Sequence, residues 1–72
     1  MFGEVQNFIA QKIGLVAEEI QLDTQLIHLG VDSLKLLMII TDFENEFDVK
    51  ISDRELESVH TVNDLVKIAE KQ

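Results

Sequence analysis

The stretch "LGVDSLKLLMII", Leu29 to Ile40, ends a polar segment and opens the most apolar run in a chain of 72 residues. Asp32 is a good helix N-cap, so the spacing predicts a helix that starts directly after it, with Ser33 in its first turn. On a helical wheel Leu36, Ile40, Phe43 and Phe47 share one face, flanked by Leu37 and Ile39. That face is the core stripe. Leu34, Met38, Thr41 and Asn45 fall on the opposite face. A Leu and a Met stacked there read as a docking surface, or else the helix is buried on both sides.

Upstream of this helix, Phe2, Val5, Phe8, Ile9 and Ile13 recur at three- and four-residue steps, which predicts an amphipathic first helix. Gly14 stands where a left-handed cap would end it. Residues 15 to 31 keep no period. They read as a long ordered loop, with a short helical turn at "VAEEI", pinned by Leu15, Val16, Ile20, Leu22, Leu26, Ile27 and Leu29. Downstream, "SDRE" from Ser52 is a capping box that predicts a short third helix over 53–58. "TVND" from Thr61 is a weaker version of the same signal. Val62, Leu65, Val66 and Ala69 then predict a fourth helix. The fold expected is an all-α four-helix bundle, one domain over 1–72, with no place for strands.

Composition narrows the function. Fourteen acidic residues oppose six basic ones, a formal charge of −8, and seven of the acids lie between Asp42 and Glu57. Such a field repels nucleic acid and anionic membranes, and it speeds encounter with basic protein surfaces. The chain has neither a run long enough for a membrane span nor a signal-peptide pattern. It has no cysteine, hence no disulfide and no thiolate ligand, which fits a reducing cytoplasm. Any thiol chemistry needs a thiol from outside the chain.

Ser33 is the residue that asks for an explanation. A serine nucleophile needs a base in reach and a group to orient it, and the chain offers only His28 and His60. "GVDSL" is not the G-x-S-x-G elbow. Two histidines without cysteine make no zinc spacing, and "DFENEFD" fails the calcium-loop pattern. A modification site fits better. A phosphodiester on a hydroxyl at a helix start sits beside unpaired N–H groups and the positive end of the helix dipole. Gly30 leaves room for a modifying enzyme. The plain alternative is a helix-start serine with no further role.

"LGVDSL" before an apolar helix, with "FENEFDVKISD" after it, resembles the acyl carrier proteins and related peptidyl carrier domains. The likeness includes "IGLVAEEI" and "HTVNDLVKI" and so covers nearly the whole chain. The resemblance implies a short third helix. It also implies that Ser33 carries 4′-phosphopantetheine, donated by coenzyme A through a phosphopantetheinyl transferase that uses Mg²⁺. The thiol of that arm would hold acyl or aminoacyl groups, which accounts for a chain without cysteine. Asp32 would help the transferase recognise the site, and Leu34 would dock partners. Those partners would be loading enzymes, ketosynthases or acyltransferases, met by a free-standing monomeric carrier that catalyses nothing itself.

The chain departs from the family pattern at instructive places. Carriers of fatty-acid synthesis commonly have acids two and five positions after the serine; here those positions hold Lys35 and Met38. The usual acidic pair before "LG" is Ile27 and His28. With Thr41 and Asp42 further along, this helix face points to a specialised pathway, with a general fatty-acid carrier as the alternative. Leu36, Ile39, Ile40, Phe43, Val59 and Ile68 are candidates for an acyl-sheltering pocket, or are plain core. An unmodified helical adaptor and a decayed carrier serving as a structural subunit are the readings from another class. Both predict that Ser33→Ala changes nothing.

Overall fold

Helices form where the apolar spacing places them. They are α1 (Phe2–Ile13), α2 (Ser33–Phe47), α3 (Asp53–Glu57) and α4 (Val62–Lys71). This is a computed structural model that describes residues 1–71; Gln72, the last residue of the expected 1–72 domain, lies outside the described residues. The architecture is all-α, with α3 the short helix and a long connection between α1 and α2.

Each helix end has a local cause. Gly14 takes the left-handed conformation at φ 74°, and the Ala10 carbonyl accepts from both the Gly14 and Leu15 N–H groups. At the start of α2, Asp32 Oδ1 accepts from the Lys35 N–H at 2.8 Å. Asp48 ends α2 in the same left-handed region at φ 54°, which Asp tolerates better than most residues. The capping box of α3 is complete: Ser52 Oγ accepts from the Glu55 N–H and Glu55 Oε1 accepts from the Ser52 N–H, both at 3.1 Å.

The core is built from Val5, Phe8 and Ile9 of α1, Ile39, Ile40 and Phe43 of α2, and Val62, Leu65, Val66 and Ile68 of α4. At one end the rings of Phe8, Phe43 and Phe47 meet with centroids 4.7 to 5.7 Å apart. Lys12 of α1 reaches Asp42 of α2 at 2.8 Å and lies 5.4 Å from the Phe8 ring centroid, so one cation joins the two helices.

The long loop is ordered by contacts that no local pattern announces. Gln6 Nε2 donates to the carbonyls of Ala17 (2.6 Å) and Ile20 (2.9 Å), tying the 3₁₀ turn Ala17–Glu19 to α1. The first N–H groups of α4 bond to the same loop: Val62 to the Thr24 carbonyl and Asn63 to that of Leu22. Gln25 and Thr61 make an isolated antiparallel bridge, a fragment of strand pairing the sequence did not announce.

Three expectations need correction. Val16, Leu22 and Ile27 were expected to pin the loop, yet they are exposed; Ile20 and Leu26 are buried, and Leu29 packs on the core. Leu37, which the wheel sets beside the core stripe, is exposed, because 100° of rotation per residue carries it away from the side that meets α1. The third helix ends at Glu57, with Ser58 as its cap.

The caps make stability depend on acid. At Asp64 partial burial pulls upward, but hydrogen bonds from the His60 and Thr61 N–H groups (both 2.9 Å) outweigh it and hold the carboxyl below its ordinary value. The Ser52 N–H and hydroxyl, with a smaller contribution from Lys71, lower Glu55 in the same way. Carboxylates with lowered folded pKa values stabilise the fold above their unfolded values and cease to do so as pH falls through the folded ones. Asp64→Asn should therefore be less stable than the parent at pH 7, and the gap should narrow below about pH 4, as read by urea midpoints along a pH series.

The charge of −8 also opposes compaction. Added NaCl or MgCl₂ should raise the melting temperature through the low-salt range, as scanning calorimetry would show, because screening acts first on exposed like charges. A midpoint indifferent to ionic strength would contradict this.

Candidate functional site

The site is assembled at the start of α2. Gly30 is left-handed at φ 76°, and a Cβ built on it would meet nothing within 4 Å, so the chain is open at Gly30, two residues before Asp32. Val31 is buried and anchors this turn from the other side. Asp32 is exposed and its carboxylate is engaged by the Lys35 N–H, while its carbonyl accepts from the Leu36 N–H. Helix geometry then leaves the Ser33 and Leu34 N–H groups without acceptors inside the helix. Ser33 itself is exposed. The arrangement is a reachable hydroxyl at the positive end of a 15-residue helix, with amide donors turned outward. An anionic diester attached there meets favourable partial charge. The residues present therefore fit a phosphate-linked prosthetic group.

The residues singled out on the face of α2 are all at the surface: Leu34, Lys35, Met38, Thr41 and Asp42. Leu34 is 71% exposed and Met38 62%. Leu37 joins them. With Met38, Thr41 and Asp42 it lines a shallow depression. Thr41 Oγ1 donates back to the Leu37 carbonyl at 3.0 Å, and Asp42 is held by Lys12, so both polar groups are already occupied within the fold. Glu44 is similarly engaged, Oε2 accepting from the Ile51 N–H at 2.7 Å. Ile27, 71% exposed, adds a further apolar side chain from the loop. A wheel drawn for α2 alone does not find Ile27 and Leu37, since the first lies off the helix and the second flanks the core stripe.

The pocket candidates divide. Ile39, Ile40 and Phe43 lie in the packed core. Half-buried Leu36 and buried Val59 line a groove of about 280 Å³ together with Val31 and Leu56. Val31 and Leu36 bracket Ser33 in the chain, so this groove lies beneath the start of α2. Val59 and Ile68 line a second groove between α3 and α4, of about 330 Å³. Among the described residues no cluster of His, Cys, Asp or Glu could hold a metal ion, and no helix is long and apolar enough to cross a membrane. His28 and His60 are exposed, and His60 bonds to Asp64 through its backbone N–H.

Fold and site together define a small four-helix protein with an exposed serine at a helix start. Residues 3–69 match the family described as "Phosphopantetheine attachment site". The acyl carrier protein of Thermotoga maritima is 40% identical across all of this chain and 90% of its own length. That of Lactococcus lactis is 44% identical over 97% of this chain and 93% of its own. The crystal structure of an acyl carrier protein from Thermotoga maritima superposes with a TM-score of 0.69 at 27% identity, covering 94% of this chain and 88% of that one. The chain belongs to the acyl carrier protein family. It is a carrier and not an enzyme, and phosphopantetheine is its prosthetic group.

Proposed function

We propose that Ser33 is the residue that carries 4′-phosphopantetheine and that the protein serves a dedicated biosynthetic pathway. The observation that carries the first part is the placement of an exposed hydroxyl at the first position of α2, between an open left-handed Gly30 and the capped Asp32. The group supplies a thiol, the one function this cysteine-free chain lacks, on which acyl or aminoacyl cargo is held as a thioester. Asp32 sets the helix start, and so the position of Ser33, for a phosphopantetheinyl transferase. Incubation with coenzyme A, Mg²⁺ and a broad-specificity transferase, followed by intact mass, tests this: the mass should rise by one phosphopantetheine.

The pathway reading rests on the face of α2. Partners that grip acids on this helix with Arg or Lys find instead Leu34, Lys35, Leu37 and Met38, all exposed. Asp42 is tied to Lys12. Loading enzymes, ketosynthases or acyltransferases that dock here meet a surface that is apolar and, at Lys35, cationic. A ketosynthase of bulk fatty-acid synthesis should turn over this carrier at least about tenfold less efficiently than its usual one, a difference of about 1.4 kcal/mol in docking and transfer. Equal kcat/KM for the two would favour a general fatty-acid carrier. That reading has its own support, since the relatives bear the plain name acyl carrier protein. Leu36 and Val59 are the candidates to guide an acyl chain from the Ser33 end, and Ile39, Ile40, Phe43 and Ile68 are those it would displace to enter the core.

A further inference from the structure

Lys35 stands against the local chemistry of its helix. The first turns of α1, α3 and α4 carry acids (Glu4, Asp53 with Glu55, and Asp64), which complement the positive end of the dipole. The first turn of α2 has none and holds exposed Lys35 instead. A cation there opposes the dipole, so the helix itself gives no reason for it. Nor does the rest of the fold. Among the described residues no carboxylate forms an ion pair with the Lys35 ammonium. The carboxylate of Asp32 is engaged by the backbone N–H of Lys35 at 2.8 Å. Asp42, seven residues on and so on the same side of α2, is paired with Lys12.

Lys35 and Asp42 border a strip on which Leu34, Leu37 and Met38 are 71%, 52% and 62% exposed. With Asp42 offset by Lys12, Lys35 is the charge at this edge that the fold leaves without an ion-pair partner among the described residues. We propose that Lys35 sets partner choice. It repels docking surfaces that grip α2 through Arg or Lys, and it seats a partner that is apolar opposite the strip and carries an Asp or Glu opposite Lys35. The inference deepens the proposed function and rests on attachment at Ser33. The net charge of −8 speeds the approach of basic surfaces from a distance. At contact the nearest charge decides, because charges beyond about 10 Å are largely screened at 0.1 M salt.

The test is a charge swap. Parent and Lys35→Glu protein are loaded from malonyl-coenzyme A by a phosphopantetheinyl transferase, with intact mass reporting the loading. Each is then given to a ketosynthase of bulk fatty-acid synthesis, and to the same enzyme with its docking Arg and Lys residues changed to Glu. Lys35→Glu should raise kcat/KM at least about tenfold with the unaltered enzyme, and the preference should reverse with the swapped one. Roughly 0.3 M NaCl should bring both ratios toward one. Leu37→Gln should lower kcat/KM of the parent with the swapped enzyme at least about threefold, through lost apolar contact.

Parent and Lys35→Glu turned over equally by both enzymes would overturn the inference while leaving the carrier reading intact. A gain for Lys35→Glu with both enzymes alike, unmoved by salt, would also overturn it, in favour of a plain effect on the stability of α2. Leu37→Gln without effect would overturn the apolar seat. Absence of any mass gain in the parent would overturn the carrier reading and the inference with it.

Discussion

Ser33→Ala should abolish the mass gain from coenzyme A entirely and should barely alter the melting temperature. The two halves of this result have separate causes. The proposed phosphodiester forms on the Ser33 oxygen, and no other hydroxyl among the described residues shares its setting. Thr41 lies two turns into the same helix with its hydroxyl bonded to the Leu37 carbonyl, and Ser52 is occupied by the Glu55 N–H. Stability is untouched because the cap of α2 belongs to Asp32, Ser33 is exposed, and Ala is a favourable residue in a helix. Asp32→Ala should show the converse, losing about 1 kcal/mol of stability with the removed cap while still accepting some modification. If Ser33→Ala were modified as fully as the parent, the attachment would lie elsewhere. If the parent too gained no mass with several transferases, an adaptor docking through Leu34 and Met38 would become the better account.

Phe43→Ala should cost about 3–5 kcal/mol, the largest stability effect of any single truncation considered. Phe43 has no accessible surface and touches the rings of both Phe8 and Phe47, so its removal opens a cavity and breaks two aromatic contacts. For a chain of 72 residues the whole stability is about 4–11 kcal/mol, so this loss removes a large fraction of it and unfolds the variant at the low end of that range. Chemical denaturation followed by circular dichroism measures the loss. A shift under about 1 kcal/mol would mean that α2 re-packs around the vacancy, as a core built to open for an acyl chain would. Phe43→Leu, which keeps most of the volume, should recover most of the lost stability.

Much of the fold was legible in local chemistry. The apolar steps of the first, second and fourth helices were visible because one buried stripe per helix repeats at 3.6 residues. Gly14, Asp32 and Ser52 with Glu55 marked helix ends by hydrogen bonds that reach no further than a turn. Leu37 and the loop were read less well. Whether Leu37 is buried depends on which side of α2 meets α1. Val16, Leu22 and Ile27 are apolar yet exposed because Gln6, not they, fastens part of the loop.

The sequence by itself determined the helices, their caps and the position of Ser33 at a helix start, because each is set by interactions within a few residues. It also determined the acidity and the absence of any thiol. Only the tertiary structure decided that Asp42 is spent on Lys12, thirty residues away. Only the tertiary structure gathered Arg54, Lys67 and Lys71 around Val59 and Ile68. Contacts of that kind join residues with no common period, and they exist only once the helices have packed.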